Sequence, residues 1–241
     1  MQIYNTTVAR LTYRGLLGRR RALLLFGLPG LLLVVAGAVR LLAGRDEATA
    51  VGMLGGFALA TVVPLVGVIV GTGATGPEID DGSIVYLLAK PLSRPGIVLT
   101  KLAVAAGTTI AFAAVPTYLA GLLLAGNGGR IAVAFGAAAA VASVAYAALF
   151  LFLGIVTRHA VVVGLVYALV WEGVVGSFIP GAKALSVQQW ALALAQETAA
   201  AGTVTSEVGL PLASALLAVL TATATWFAVQ RLRSLTLAGE A

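Results

Sequence analysis

Uncharged stretches of bilayer-spanning length, separated by short polar clusters, run through most of the chain. An α-helix rises about 1.5 Å per residue, so roughly 20 apolar residues cross the roughly 30 Å hydrocarbon core of a membrane. Arg21 and Arg40 bracket 18 uncharged residues, Glu47 and Glu78 bracket 30, Lys101 and Arg130 bracket 28, Arg130 and Arg158 bracket 27, and Glu207 and Arg231 bracket 23. A sixth run, from His159 to Ala182, is interrupted only by Glu172. The pattern predicts an all-α integral membrane domain over 1–241, with spans near 22–42, 50–73, 98–125, 131–156, 160–180 and 208–229. Residues 184–207 are small or apolar with few charges. They read as short re-entrant external helices with Trp190 near the interface.

Two polar segments carry patterns of their own. In residues 1–21, Tyr4, Val8 and Leu11 fall on one helical face and Arg10, Arg14 and Arg21 along another, which predicts an amphipathic helix lying along the membrane surface. The segment 76–90 reads as a helix marked at both ends. Pro77 suits a first helical position, Glu78, Asp80 and Asp81 oppose the positive end of the macrodipole, and Lys90 then Pro91 close it. Ile84, Leu87 and Leu88 make its apolar face.

Composition agrees with lipid as the solvent. The chain is 60% hydrophobic and 10% charged, with a mean hydropathy of +1.04, against about 45–50% and about 25% in soluble domains. Disordered chains are poor in apolar residues, and the 29 glycines show no period of three. The absence of cysteine removes disulfides, thiolate nucleophiles and Cys-based metal sites.

The net charge of +6 acquires meaning from its placement. With a cytoplasmic N-terminus and six spans, eleven of the fifteen basic residues fall inside, leaving Arg40, Arg45, Arg130 and Lys183 outside. This bias orients both termini toward the cytoplasm and suits anionic inner-leaflet lipid. A nucleic-acid role would need basic and aromatic residues interleaved on one element, and no such stretch exists. Ala36-Gly37-Ala38 has the form of a signal-peptidase site, but the late Arg21 and the apolar run to Leu42 favour an uncleaved span.

Glu78, Gly82, Ser83, the Leu87-Leu88 pair, Pro91, Ser93, Arg94 and Lys101 together resemble the loop after span two of ABC-2 type (type V fold) ABC transporter permeases. In that family an acidic stretch and a Gly-Thr/Ser step precede a Leu-Leu, a Pro-x-Ser-Arg and a lysine at the next span. Thr100 stands where glycine is common before that lysine, and Ile79 where a charge is frequent. A second resemblance, in Trp171-Glu172-Gly173 and Leu185-Ser186-Val187-Gln188-Gln189, is to the branch that includes the membrane subunit of copper-site maturation transporters. The resemblance implies a permease in the plasma membrane that pairs with a second permease, as a homodimer or heterodimer, and with two copies of a cytoplasmic ATPase. It makes 76–90 the coupling helix that docks on the ATPase. ATP and Mg would bind that partner, with no cofactor on this chain, which has no P-loop.

Other candidates are weighed by their surroundings. Gly71, Gly73 and Gly76 spell G-x-G-x-x-G, but after an apolar run and without an acid about 20 residues on it reads as a glycine-rich helix exit. Glu172 lies inside a span, where an ionised group is costly. It is expected to accept backbone N–H bonds from a re-entrant turn or to pair with Lys183, as an outer gate or a structural turn. His159 falls at a hairpin tip. Tyr118, Ser143, Tyr146 and Tyr167 read as pathway or interhelical hydrogen-bonding groups, and Pro64 and Pro116 as bends. A pathway this poor in charge suits export of a hydrophobic or amphiphilic substrate. The alternatives are an ABC permease that powers an envelope maturation or mechanical step without flux, and an intramembrane enzyme. The enzyme reading is opposed by a single histidine and the lack of G-x-S-x-G.

Overall fold

The computed structural model describes residues 5–80, 93–126, 128–175 and 181–234. Among them every regular element is helical. Five helices are long and apolar enough to cross a membrane, the architecture of a multi-pass membrane protein.

Helix α1 covers Thr6–Leu16, shorter than the expected 1–21. Asn5 starts it, its side chain accepting the N–H groups of Thr7 and Val8 at 3.0 and 3.2 Å, which satisfies two donors a helix start leaves open. Extended backbone at Gly18 separates it from α2, Arg19–Ala43. Arg21 therefore belongs to the first span and not to the surface helix, a correction to the expected set. The buried face also differs from the expected stripe: Val8, Ala9, Thr12 and Leu16 are buried, whereas Leu11 is 55% exposed. Tyr4 lies outside the described residues.

Helix α3 runs from Glu47 to Gly73. Asp46 caps it, accepting from the amide and hydroxyl of Thr49; these bonds hold the Asp46 carboxyl below its usual range. The stretch Leu54–Val62 is π-helical. The short α4, Gly76–Asp80, is what is described of the expected 76–90 helix. Helix α5, Arg94–Ala125, has its own π stretch at Ile110–Ala114. In both, the wide turn ends beside a proline: Val63 donates to Ala58 before Pro64, and Val115 to Ile110 before Pro116. A ring that lacks an N–H and crowds the preceding turn is accommodated there by π geometry.

Helix α6 is Ile131–Val156, α7 begins as Ala160–Val166 and continues as π helix over Tyr167–Val175, α8 is Val187–Thr198 and α9 is Leu210–Ser234. The fifth expected span, 160–180, is thus described only in part, with an apolar helix shorter than the other five. A 3₁₀ turn, Ala182–Leu185, and α8 lie between α7 and α9 in the chain. Trp190 is buried and donates to Ala184 at 2.7 Å, so it anchors α8 inward.

Helix α6 lies at the centre, touching α3, α5, α7, α8 and α9. Small residues allow this closeness. A Cβ on Gly71 would stand 2.6 Å from Phe150 Cβ, and one on Gly67 2.8 Å from Tyr146 Cβ, so α3 presses its backbone directly onto α6. The first and third glycines of G-x-G-x-x-G are thereby explained differently: Gly71 is a packing contact, and Gly76 opens α4. In lipid, where apolar contact between helices has no hydrophobic drive, such close packing is a main source of association. Gly71→Ala is expected to destabilise the fold by about 1–3 kcal/mol, read as a lower midpoint in thermal unfolding of the detergent-purified protein. An unchanged midpoint would refute the contact.

Candidate functional site

The end of α3, the start of α5 and helix α1 meet in one junction. Helix α5 starts at Arg94, four residues before the expected span, so Lys101 sits about two turns inside it and its side chain is 1% exposed. Its Nζ donates to Glu78 Oε1 at 2.7 Å and to the Ala74 carbonyl at 2.6 Å. A lysine buried in this way needs such partners, because an unpaired charge in low dielectric is strongly penalised. The pair joins the first turn of α4 to α5, and the Ala74 bond joins the end of α3 to the same amine. Ile79, where a charge would be usual, packs against the apolar core.

The neighbouring residue ties in α1. Thr100 Oγ1 accepts the Asn5 N–H at 3.1 Å and donates to Gly96 O at 2.7 Å. Arg21 of α2 donates to Gly73 O at 3.2 Å. A cavity of about 290 Å³ between α1, α2 and the end of α3 is lined by Leu11, Thr12, Arg21, Gly73 and Glu78 among others. Thr100, Asn5 and the carbonyls of Gly73 and Ala74 carry no pattern visible in sequence. Thr100 was visible only as a departure from glycine, and its hydroxyl accepts from the residue that caps α1.

Of the expected coupling set, Glu78 and Lys101 are brought together, and Arg94 opens α5 with Ser93 before it, its carbonyl accepting from Ile97. Asp80 ends α4. Asp81, Gly82, Ser83, Leu87, Leu88 and Pro91 lie outside the described residues. Arg10 and Arg14 are exposed on α1.

A second polar cluster gathers around Glu172, which is fully buried. Oε1 accepts from the Tyr167 hydroxyl at 3.0 Å and the Val187 amide at 3.1 Å. Oε2 accepts from the Ser186 hydroxyl and from the Gln188 amide at 3.3 Å. The carboxylate thus caps the N-terminus of α8 from another helix, where open N–H groups and the macrodipole favour an anion. Gln188 Nε2 continues to Gly55 O at 2.9 Å, inside the π stretch of α3. Of the two partners expected for Glu172, the backbone is the one it meets. Lys183 pairs with Glu207 at 2.7 Å. Tyr167 and the buried Tyr146 hydroxyl also face Glu172, whereas Ser143 bonds back to Ala139 in its own helix. His159 is exposed at its hairpin.

No known protein-family model matches the chain, and no curated protein matches it.

Each cluster makes a prediction. Glu78→Gln leaves the Lys101 cation buried with less compensation and should cost about 3 kcal/mol. Adding Lys101→Met should recover most of it, a coupling that a double-mutant cycle of unfolding midpoints measures; additive losses would show that the pair contributes nothing. Glu172→Ala should speed hydrogen exchange at the Val187 and Gln188 amides while those of α6 stay protected. Uniform exchange across both helices would contradict a local capping role.

Proposed function

We propose that the chain is the membrane subunit of an ABC-2 type exporter, driven by a separate cytoplasmic ATPase and moving a hydrophobic or amphiphilic substrate out across the plasma membrane. The observation that carries this reading is the bond between Glu78 and Lys101, two residues singled out by the resemblance and 23 positions apart. They meet where the charged segment after the second span joins the bundle. A segment pushed by an ATPase does work on the spans only if it is fastened to them, and this buried pair, with the Ala74 bond, is such a fastening.

On this reading both termini are cytoplasmic, and two permease chains stand over two ATPases that bind ATP and Mg. Closure of the ATPases displaces 76–90. Lys101 passes that displacement to α3 and α5, and Thr100 passes it to α1 through Asn5. The motion shifts the balance between inward- and outward-open states of the pathway between the two permeases. Glu172, with Ser186, Val187 and Gln188, fixes α8 at the outer end. These residues carry the resemblance to the copper-site maturation branch, and their mutual bonding supports that narrower assignment.

The test is reconstitution of the full chain with its candidate ATPase. A stable complex is expected, with ATPase activity stimulated by the permease. Gly82→Trp, and separately Glu78→Gln with Lys101→Met, should abolish the stimulation while unfolding midpoints stay near the parent's. Absence of a complex, or stimulation unaffected by both changes, would sink the proposal.

A further inference from the structure

The loop joining α6 to α7, residues 157–159, borders a cavity of about 160 Å³ that it shares with the start of α2 and the end of α3. Arg21 lines it from α2, and Arg158 and His159 line it from the loop. Among the described residues no acid stands in this lining, and none of the three basic side chains is in an ion pair. Arg21 gives one N–H to Gly73 O at 3.2 Å and keeps its other donors. On its other side Arg21 borders the α1 cavity, where Glu78 is held by Lys101. Three nitrogen-donor side chains from two parts of the chain thus share one small cavity whose described lining offers them no carboxylate.

We infer that this cavity is a binding site for one phosphate-bearing anion, held by Arg21, Arg158 and His159. The donor set is the one that phosphate requires. A guanidinium forks two N–H donors toward phosphate oxygens, and an imidazole donates from a ring nitrogen in either protonation state. Thr157 Oγ1 accepts the His159 N–H at 3.2 Å, which leaves its own O–H to donate. Residues 160–162 complete the wall. They begin a helix described as far as Val174, so their N–H groups have no partner inside it, and the His159 side chain does not cap them. These amides add donors to a site that the side chains define.

Size narrows the ligand. The cavity equals on the order of five water-sized volumes, room for a phosphate group and too little for a nucleoside attached to it. A phosphate seated there joins α2 and the α6–α7 loop to Gly76, the residue that opens α4. Two sources share this chemistry, the headgroup of an anionic phospholipid and soluble phosphate. Binding rests on neither the orientation proposed above nor an ATPase, and its test uses neither.

The full chain, purified in an uncharged detergent and stripped of lipid, would be given two probes. Native mass spectrometry reads retention of phosphatidylglycerol against phosphatidylcholine of identical chains, and broadening of the phosphorus NMR line reads inorganic phosphate. A preference for phosphatidylglycerol assigns the site to a lipid headgroup, and phosphate broadening alone assigns it to soluble phosphate. In either case Arg158→Gln should weaken binding about five-fold. Val161→Glu, which brings a carboxylate into the lining from an exposed position, should abolish it. Arg14→Gln, exposed on α1 and outside the lining, should leave it unchanged. All three replace exposed side chains, so unfolding midpoints should stay at the parent's. Neither a lipid preference nor phosphate broadening, equal effects of the two arginine changes, or binding untouched by Val161→Glu would overturn the inference.

Discussion

The bundle depends on how closely α3 can approach α6. In lipid no expelled water drives one helix onto another, and what remains is dispersion between well-fitted surfaces and the few polar bonds that cross them. Gly67 and Gly71 provide the fit, letting Phe150 and Tyr146 of α6 lie against bare backbone. Phe150 also meets Gly164 of α7 and the Tyr167 ring at 6.0 Å. One aromatic side chain therefore sets the spacing of three helices. Helices α2 and α9 are held less deeply and leave most of their surface for lipid.

Against this apolar background two polar clusters stand at opposite ends of α3 and solve one problem by different means. At the Gly73 end the buried charge is a cation, and it takes a carboxylate and a carbonyl. At the π end it is an anion, and it takes hydroxyls and the open amides of α8. Each charge is positioned by helix termini as much as by opposite charge, because termini are where backbone groups are left without partners. Both clusters join elements that the sequence separates by a loop.

The spans were legible because their signal is an absence of charge sustained over a known length. Ile131–Val156 appears as a helix with the bounds read from its flanking Arg130 and Arg158. Arg21 and Lys101 were less legible. Flanking basic residues look alike in sequence whether they lie in a surface helix, at a span's mouth or two turns inside it, and only the start of α2 at Arg19 and of α5 at Arg94 separates these cases. The Glu172 cluster was half legible. The cost of a buried carboxylate demanded donors, but that those donors would be the opening amides of α8 is a tertiary fact. Val8 and Leu11 share a helical face in sequence yet part in the structure, Val8 buried and Leu11 exposed, because α1 has apolar residues both for the bundle and for its outer side. Periodicity alone cannot say which solvent a face is meant for.

The π stretches of α3, α5 and α7 have a bearing on how any substitution scan of this chain should be interpreted. A π turn holds more residues than an α turn, so beyond it the side chains are out of phase by about one residue, roughly 100° around the axis. Positions seven apart across Leu54–Val62 or Ile110–Ala114 therefore do not share a face, although the helix continues unbroken. An unbroken helical wheel drawn through either span would assign residues on one side of the wide turn to the wrong neighbour. The two halves of each span are in effect separate recognition surfaces, and each can change without altering what the other presents.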